Sequence, residues 1–185
     1  MLNENFVILG LIIAGIGSLS YLIDTIKGKA KPNRVTFFIW ALAPLIAFVA
    51  EIEQGVGIQS LTTFMVGFAP LIILIASFFN KKAEWKLGPF DFICGGLSLI
   101  GLLLWYLTKV GNLAIIFSLL SDGLAALPTL VKSYHYPETE NSWGYLTAGI
   151  SGLITLLTIV TWDLAHWGFT IYIVIVNFTL FSLIQ

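Results

Sequence analysis

The sequence predicts an all-α integral membrane protein with seven transmembrane helices. The composition, the length of the apolar runs and the distribution of basic residues support this prediction. Hydrophobic residues make up 58% of the chain and charged residues only 10%, against roughly 25% charged residues in a typical soluble domain. The formal net charge is −1 and gives no indication of the basic face that nucleic-acid binding needs.

Seven apolar runs are candidates for membrane-crossing helices, which need roughly 17–25 residues each. They are about Phe6–Ile26, Val35–Ala50, Gly57–Phe79, Pro89–Leu107, Val110–Val131, Trp143–Thr161 and Trp167–Leu183. Such long, uniformly apolar runs are not the alternating strands of a barrel. The leader MLNEN lacks a positive charge and a basic cluster follows the first run, the reverse of a secretory signal. The first run is therefore interpreted as a transmembrane helix.

Basic residues concentrate in the loops of one end. Eight of the nine lysine and arginine residues lie there: Lys27, Lys29, Lys31, Arg34, Lys81, Lys82, Lys86 and Lys132. The opposite loops carry Lys109 together with the acidic Glu51, Glu53 and Asp163. The positive-inside rule places the basic loops in the cytoplasm. The chain is therefore expected in the cell membrane as a multi-pass protein, with its N-terminus outside and its C-terminus inside.

The sequence also predicts two parallel repeats of three helices. Sliding the chain against itself by 105 residues superposes the first three apolar runs on the last three and places Lys27 on Lys132. The fourth run stays unpaired, and such a linker lets both triplets keep the same membrane orientation. The predicted division is residues 1–80 for the first repeat, 81–109 for linker helix 4, and 110–185 for the second repeat.

Two polar side chains are predicted near the membrane centre, where a charge costs about 2.5–3.5 kcal/mol. Asp122 and Asn177 lie twelve and eleven residues from Val110 and His166, hence about 16–18 Å from the same face at 1.5 Å per residue. An intramembrane ionisable residue is typical of a solute or proton pathway. Each residue also has a structural alternative. Asp122 could be a buried carboxyl bonded to a neighbouring hydroxyl, and Asn177 could join neighbouring helices by a hydrogen bond.

Small and polar residues recur at helical steps on three predicted helices. They line a common cavity in one interpretation, and in the other they only let the helices pack closely. On helix 1 they are Ala14, Gly17, Ser18, Tyr21 and Thr25; on helix 5, Ser118, Ser121, Asp122, Ala125 and Thr129; on helix 6, Ser151, Thr155, Thr158 and Trp162.

The arrangement of three helices, one linker and three helices, with an external N-terminus, resembles the SWEET sugar transporters and the wider PQ-loop superfamily. That superfamily also includes amino-acid carriers, vitamin-precursor transporters and the non-transporting KDEL receptors. The stretch LPTLVKSYHYPETEN, which contains Pro128, is similar to the second PQ-loop motif. Thr129 replaces the glutamine of that motif, and Ile23-Asp24 replaces the Pro-Gln pair of the first repeat.

The resemblance implies a pocket with a tryptophan on helix 6 and an asparagine on helix 7, which correspond to Trp162 and Asn177. Trp162 also suits an aromatic residue at the membrane interface. The resemblance further implies helix-bending prolines, matched by Pro44 and Pro128 as candidate hinges. Alternatively, Pro128 ends helix 5, since proline removes a backbone donor.

The chain contains no H-E-x-x-H or G-x-S-x-G motif and no lysine in the last run for a retinal Schiff base. His135 and His166 are predicted on opposite sides of the membrane and cannot share a metal. We therefore expect no enzymatic activity, no cofactor and no metal.

The predicted function is transport of a small polar solute, a sugar or similar metabolite, by alternating access of the two bundles and with a proton link through Asp122. The alternative is a non-transporting receptor or assembly factor. The expected partners are the lipid bilayer, the solute and, in a homo-oligomer, further copies of the chain, without nucleic acid. The candidate binding residues are Asp122, Asn177, Trp162, Ser118, Ser121 and Thr158.

Cysteine labelling checks the predicted topology. In a background lacking the single native cysteine, Cys94, cysteines introduced at Glu53 and at Lys82 should react with a membrane-impermeant maleimide from opposite faces, Glu53 from outside. Labelling of both positions from one face would contradict the helix count or the orientation.

Overall fold

The described residues of the protein, 2–108 and 110–185 of a computed structural model, fold into helices without strands. The seven α-helices among them are α1 (Phe6–Ile26), α2 (Arg34–Glu53), α3 (Ser60–Ser77), α4 (Pro89–Thr108), α5 (Gly111–His135), α6 (Ser142–Leu156) and α7 (Leu164–Ile184). Short 3₁₀ turns occupy Lys81–Ala83 and Pro137–Thr139. The all-helical prediction is confirmed. Lys109, predicted at the end opposite the other basic residues, lies outside the described residues.

Within that part of the chain, five helices are long and apolar enough to cross a membrane: α1, α2, α3, α5 and α7. Helix α4 is apolar over the shorter stretch Pro89–Leu104. Helix α6 has 15 residues and spans about 22 Å, less than a hydrocarbon core of about 30 Å. These lengths are consistent with a membrane protein built on five long apolar helices.

Helix α6 ends at Leu156, so the prediction that it reaches Thr161 is wrong. The Thr158 hydroxyl donates to the Thr155 carbonyl at 2.7 Å, and such a local bond offers the backbone an alternative to continuing the helix. The β-branched residues that follow also have low helix propensity. Trp162 therefore lies in the loop between α6 and α7.

The predicted ends of helices α5 and α2 fall short of the observed ones. Helix α5 continues to His135 with Pro128 inside it, so the alternative in which Pro128 ends helix 5 is wrong. Helix α2 continues to Glu53, so Glu51 is a helical residue and is 2% exposed, whereas the sequence suggested a loop.

Six helices form a ring, in the order α1, α3, α2, α5, α7, α6 and back to α1. Each neighbouring pair in this order is in extensive contact. Helix α4 packs outside the ring against α5 and α2, and its large side chains Phe92, Ile93 and Leu103 are exposed. Side chains from all six ring helices point into the space at the centre of the ring.

The loops 27–33, 78–88 and 136–141 lie together at one end of the bundle, which we call the basic end. The Asn80 amide donates to the Ile26 carbonyl at 2.7 Å, and the Lys31 backbone N–H donates to the Thr139 carbonyl at 2.8 Å. These two bonds tie the second and third loops to the first. The eight basic residues predicted to share one side belong to these loops and to the adjoining helix ends.

Helices α1 and α6 approach closely at Gly17. A Cβ atom on Gly17 would lie 1.7 Å from Thr147 Oγ1 and 2.8 Å from the Trp143 carbonyl oxygen. The second of these atoms belongs to the backbone, so the helices would have to separate to accept a side chain. Small residues allow such close approach in membrane helices.

The substitution Gly17→Ala should lower the unfolding free energy by about 1–3 kcal/mol, the usual cost of overpacking, and lower the melting temperature in detergent. Gly96→Ala on α4 is the matched control, because a Cβ there meets no atom within 4 Å. Its melting temperature should stay unchanged or rise slightly. Equal melting temperatures for both variants would contradict the close contact between α1 and α6.

Candidate functional site

A cavity of about 80 Å³ lies inside the ring. At roughly 10–15 Å³ for each water in this measure, it has room for several water molecules. All six ring helices contribute side chains to it. Its aromatic lining residues are Tyr21, Phe37, Trp40, Tyr145 and Tyr172, and its other polar ones are Ser18, Thr62, Asp122, Ser151 and Asn177. Most of the remaining lining is aliphatic.

Asp122 is the carboxyl group of this cavity and is only 3% exposed. The Tyr172 hydroxyl on α7 donates to its Oδ2 at 2.6 Å. The Trp40 indole N–H on α2 donates to its backbone carbonyl at 3.3 Å. Its Oδ1 has no hydrogen-bond partner among the described residues, and neither has the Ser151 hydroxyl. An unpaired buried acceptor costs about 1–3 kcal/mol, so a donor that reached Oδ1 would stabilise it.

Asn177 lines the same cavity from α7. Its amide N–H donates to the Ile173 carbonyl at 2.8 Å, one turn earlier on the same helix. That donor therefore does not join two helices. Asp122 and Asn177, which the sequence places at similar depth on different helices, lie around one central space.

The other predicted binding residues lie outside the cavity lining. Ser121 faces α4, since a Cβ on Gly101 would lie 2.4 Å from its hydroxyl. Ser118 is fully buried, Thr158 lies in the turn after α6, and Trp162 is 60% exposed in the following loop. Successive positions on an α-helix differ by about 100°. The polar residues of α5 therefore face different directions: Asp122 faces the cavity, whereas Ser118 and Ser121 do not line it.

The sequence predicted some of the residues that line the cavity and missed others. From the polar stripe on α1, Ala14, Ser18 and Tyr21 do line the cavity. Tyr172 and Trp40, the two side chains that bond to Asp122, were missed. Both lie well inside long apolar helices, whereas interfacial aromatic residues belong near helix ends. That position was the available signal for them.

A buried ion pair lies next to the cavity on the side of the basic end. Lys132 Nζ lies 2.6 Å from Glu140 Oε1, and the two side chains are 1% and 0% exposed. Glu140 Oε2 accepts hydrogen bonds from the hydroxyls of Tyr21 at 2.5 Å and Tyr145 at 2.8 Å. Lys132 also donates to the Lys31 carbonyl. Both tyrosines line the cavity and connect it to this basic-end cluster of Lys132, Glu140, Tyr21 and Tyr145.

Toward the opposite end, two hydroxyl contacts link the helices. The hydroxyls of Thr62 on α3 and Thr155 on α6 are 2.7 Å apart, and Thr62 lines the cavity. Nearby in sequence, the Thr63 hydroxyl donates to Glu51 Oε1 at 3.0 Å. Glu51 Oε2 has no partner among the described residues, but Glu51 does not line the cavity.

Three prolines lie inside helices: Pro44 in α2, Pro70 in α3 and Pro128 in α5. A proline interrupts the backbone hydrogen bonding of a helix and favours a bend. Pro44 and Pro128 are the predicted hinge positions, and both are buried. Pro70, which the sequence analysis did not single out, lines the cavity.

No metal site accompanies these groups in the part of the chain that the structure describes, where no three His, Cys, Asp or Glu side chains come close enough to hold an ion. The polar chemistry of the cavity consists of one carboxyl, one amide and several hydroxyl groups. No family model, curated protein or solved structure matches the chain. The functional interpretation therefore depends on this geometry.

The basic-end cluster makes a testable energetic prediction. Glu140→Gln leaves the Lys132 charge buried without its counter-charge, which should cost about 3–5 kcal/mol of stability. The double variant Lys132→Met/Glu140→Gln should be more stable than Glu140→Gln alone, because both charges are gone. Chemical unfolding in detergent measures both effects.

Lys81→Met, at an exposed loop position, is the control for loss of a basic residue and should have little effect. If Glu140→Gln were no more harmful than Lys81→Met, the buried ion pair would be contradicted.

Proposed function

We propose that the protein transports a small polar solute across a membrane by alternating access of two three-helix bundles, α1–α3 and α5–α7. The observation that carries the proposal is the free Oδ1 of Asp122. It is a buried carboxyl oxygen without a described partner, and its residue lines the cavity between the six ring helices. Glu51 Oε2 is also buried without a described partner, but of these two carboxyl groups only Asp122 lines the cavity, where a ligand could pair with it.

Helix packing supports two equivalent bundles. If α1, α2 and α3 are relabelled as α5, α6 and α7 and the reverse, the set of ring contacts stays the same. The α1–α3 contact becomes α5–α7, the α2–α3 contact becomes α6–α7, and α1–α6 becomes α5–α2. Helix α4 has no counterpart under this exchange. Such a pattern is expected for parallel repeats related by an axis along the membrane normal.

Two individual hydrogen bonds follow the same relation. The Thr36 hydroxyl on α2 donates to the Ala125 carbonyl on α5 at 2.7 Å. The Asn141 amide at the start of α6 donates to the Ser20 hydroxyl on α1 at 3.2 Å. Thr36 to Asn141 and Ser20 to Ala125 are both steps of 105 residues, the offset that superposes the apolar runs. This agreement supports the repeat and its resemblance to the SWEET and PQ-loop arrangement.

In the proposed orientation the basic end faces the cytoplasm, following the positive-inside rule. The contacts from Tyr21 to Glu140 and from Lys132 to Lys31 then cross between the two bundles at the cytoplasmic side. Opening the cavity to the cytoplasm would require these contacts to separate. Bending at Pro44 and Pro128 would let the half-helices beyond them move.

The test is solute exchange by the purified protein in liposomes, using radiolabelled monosaccharides, amino acids and organic amines as probes. Wild-type protein should exchange at least one class faster than protein-free liposomes. Asp122→Asn should reduce that exchange roughly 10–100-fold, since hydrogen bonds to charged groups contribute about 1.5–3 kcal/mol.

Glu53→Gln is the matched control, because Glu53 is an exposed carboxyl at the end of α2. It should leave exchange unchanged. Full exchange by a folded Asp122→Asn protein would reject the proposed role of the cavity.

A further inference from the structure

The described residues that line the cavity include an acidic side chain but no basic one. Asp122 is its carboxyl group, and no lysine, arginine or histidine is among the described residues that line it. Lys132, the cation of the basic-end cluster, is already paired with Glu140. An ionised Asp122 therefore has no counter-charge inside the cavity. Burying a charge in this way is unfavourable unless something of opposite sign comes beside it.

An aromatic wall stands next to this carboxyl. Tyr21, Phe37, Trp40 and Tyr145 form a closed circuit of ring contacts, with centroid distances of 5.4, 5.5, 6.3 and 5.9 Å around the circuit. The Trp40 indole N–H donates to the backbone carbonyl of Asp122, and the four rings line the same cavity as this residue. Aromatic rings attract cations through their quadrupole, so the wall and the carboxyl favour the same sign of ligand.

We infer that the ligand of this cavity is a small organic cation bearing an ammonium group. Its N–H donates to the Asp122 carboxylate, and its alkyl part contacts the aromatic and aliphatic lining. A hydrogen bond between an ammonium group and a carboxylate is charge-assisted and stronger than a neutral one. The inference rests on the proposed function and names the class of solute that would be carried.

The other solute classes fit less well. A neutral sugar would bring several hydroxyls into a mostly aliphatic and aromatic lining, where unpaired hydroxyls are costly, and would leave Asp122 without a counter-charge. An anion would meet a carboxylate of like charge. The cavity of about 80 Å³ also favours an amine with few heavy atoms.

Thermal unfolding of the purified protein in detergent tests the inference without requiring transport. The probe is propylammonium chloride, compared with 1-propanol, which has the same size without the charge, and with sodium chloride at equal concentration. Propylammonium at several times its Kd should raise the melting temperature of wild-type protein by about 2–4 °C. Neither 1-propanol nor sodium chloride should do so.

Two variants locate the site. Asp122→Asn should lose the propylammonium shift, and Glu53→Gln should keep it. If Asp122→Asn does not unfold cooperatively, Trp40→Leu takes its place and should reduce the shift. An equal shift with 1-propanol, or an undiminished shift in these cavity variants, would overturn the inference.

The outcomes also separate this inference from the proposed function. Exchange of a neutral solute that depends on Asp122, without any propylammonium shift, would overturn the ammonium site and leave the transporter standing. A propylammonium shift that depends on Asp122, without exchange of any probe in liposomes, would support the ammonium site and reject transport.

Discussion

The rest of this structure depends on the requirement that polar groups inside an apolar bundle find partners within the protein. The helices meet this requirement for the backbone, and several buried hydroxyls donate to carbonyls, although five others, including Ser118 and Ser151, have no partner among the described residues. Thr36 donates to Ala125 on another helix. The single Ser98 hydroxyl proton is shared between the Cys94 carbonyl one turn back and the Ser121 carbonyl across the α4–α5 contact. Among the buried carboxyl groups with an unpaired oxygen, Asp122 lines the cavity and Glu51 does not, and the proposed binding role of Asp122 starts from this difference.

The two proposed repeats carry residues with different structural roles at equivalent positions. Gly17 on α1 and Asp122 on α5 are separated by the 105-residue offset. Gly17 brings α6 so close that a methyl group would not fit. Asp122 instead faces the cavity and meets Tyr172 of α7. One half of the ring therefore contributes tight packing at this level, and the other half contributes the ionisable group.

The sequence predicted helix positions well, because apolar runs are bounded by charged loops, and it placed Asp122 and Asn177 at matching depth. It could not predict which face of each helix points toward the interior of the ring. In a membrane protein both the lipid-facing and the inward-facing residues are apolar, so Trp40 and Phe37 resemble any other aromatic residue. Burial of the Lys132–Glu140 pair was also beyond reach, since it arises only when the Lys31 carbonyl and the Tyr21 hydroxyl come together from distant parts of the chain.

The contacts at the two ends of the cavity are unequal in strength. At the basic end the bundles are joined by hydrogen bonds to charged groups, from Tyr21 to Glu140 and from Lys132 to Lys31, each worth about 1.5–3 kcal/mol. At the other end two neutral bonds join them, one between the Thr62 and Thr155 hydroxyls and one from the Leu2 N–H to the Leu157 carbonyl, each worth about 1 kcal/mol. Because separating the bundles at the basic end also exposes an ion pair that is now dry, the empty protein should open more readily at the end opposite the basic loops. A ligand that neutralises Asp122 would change this balance only by binding one arrangement of the bundles more tightly than the other.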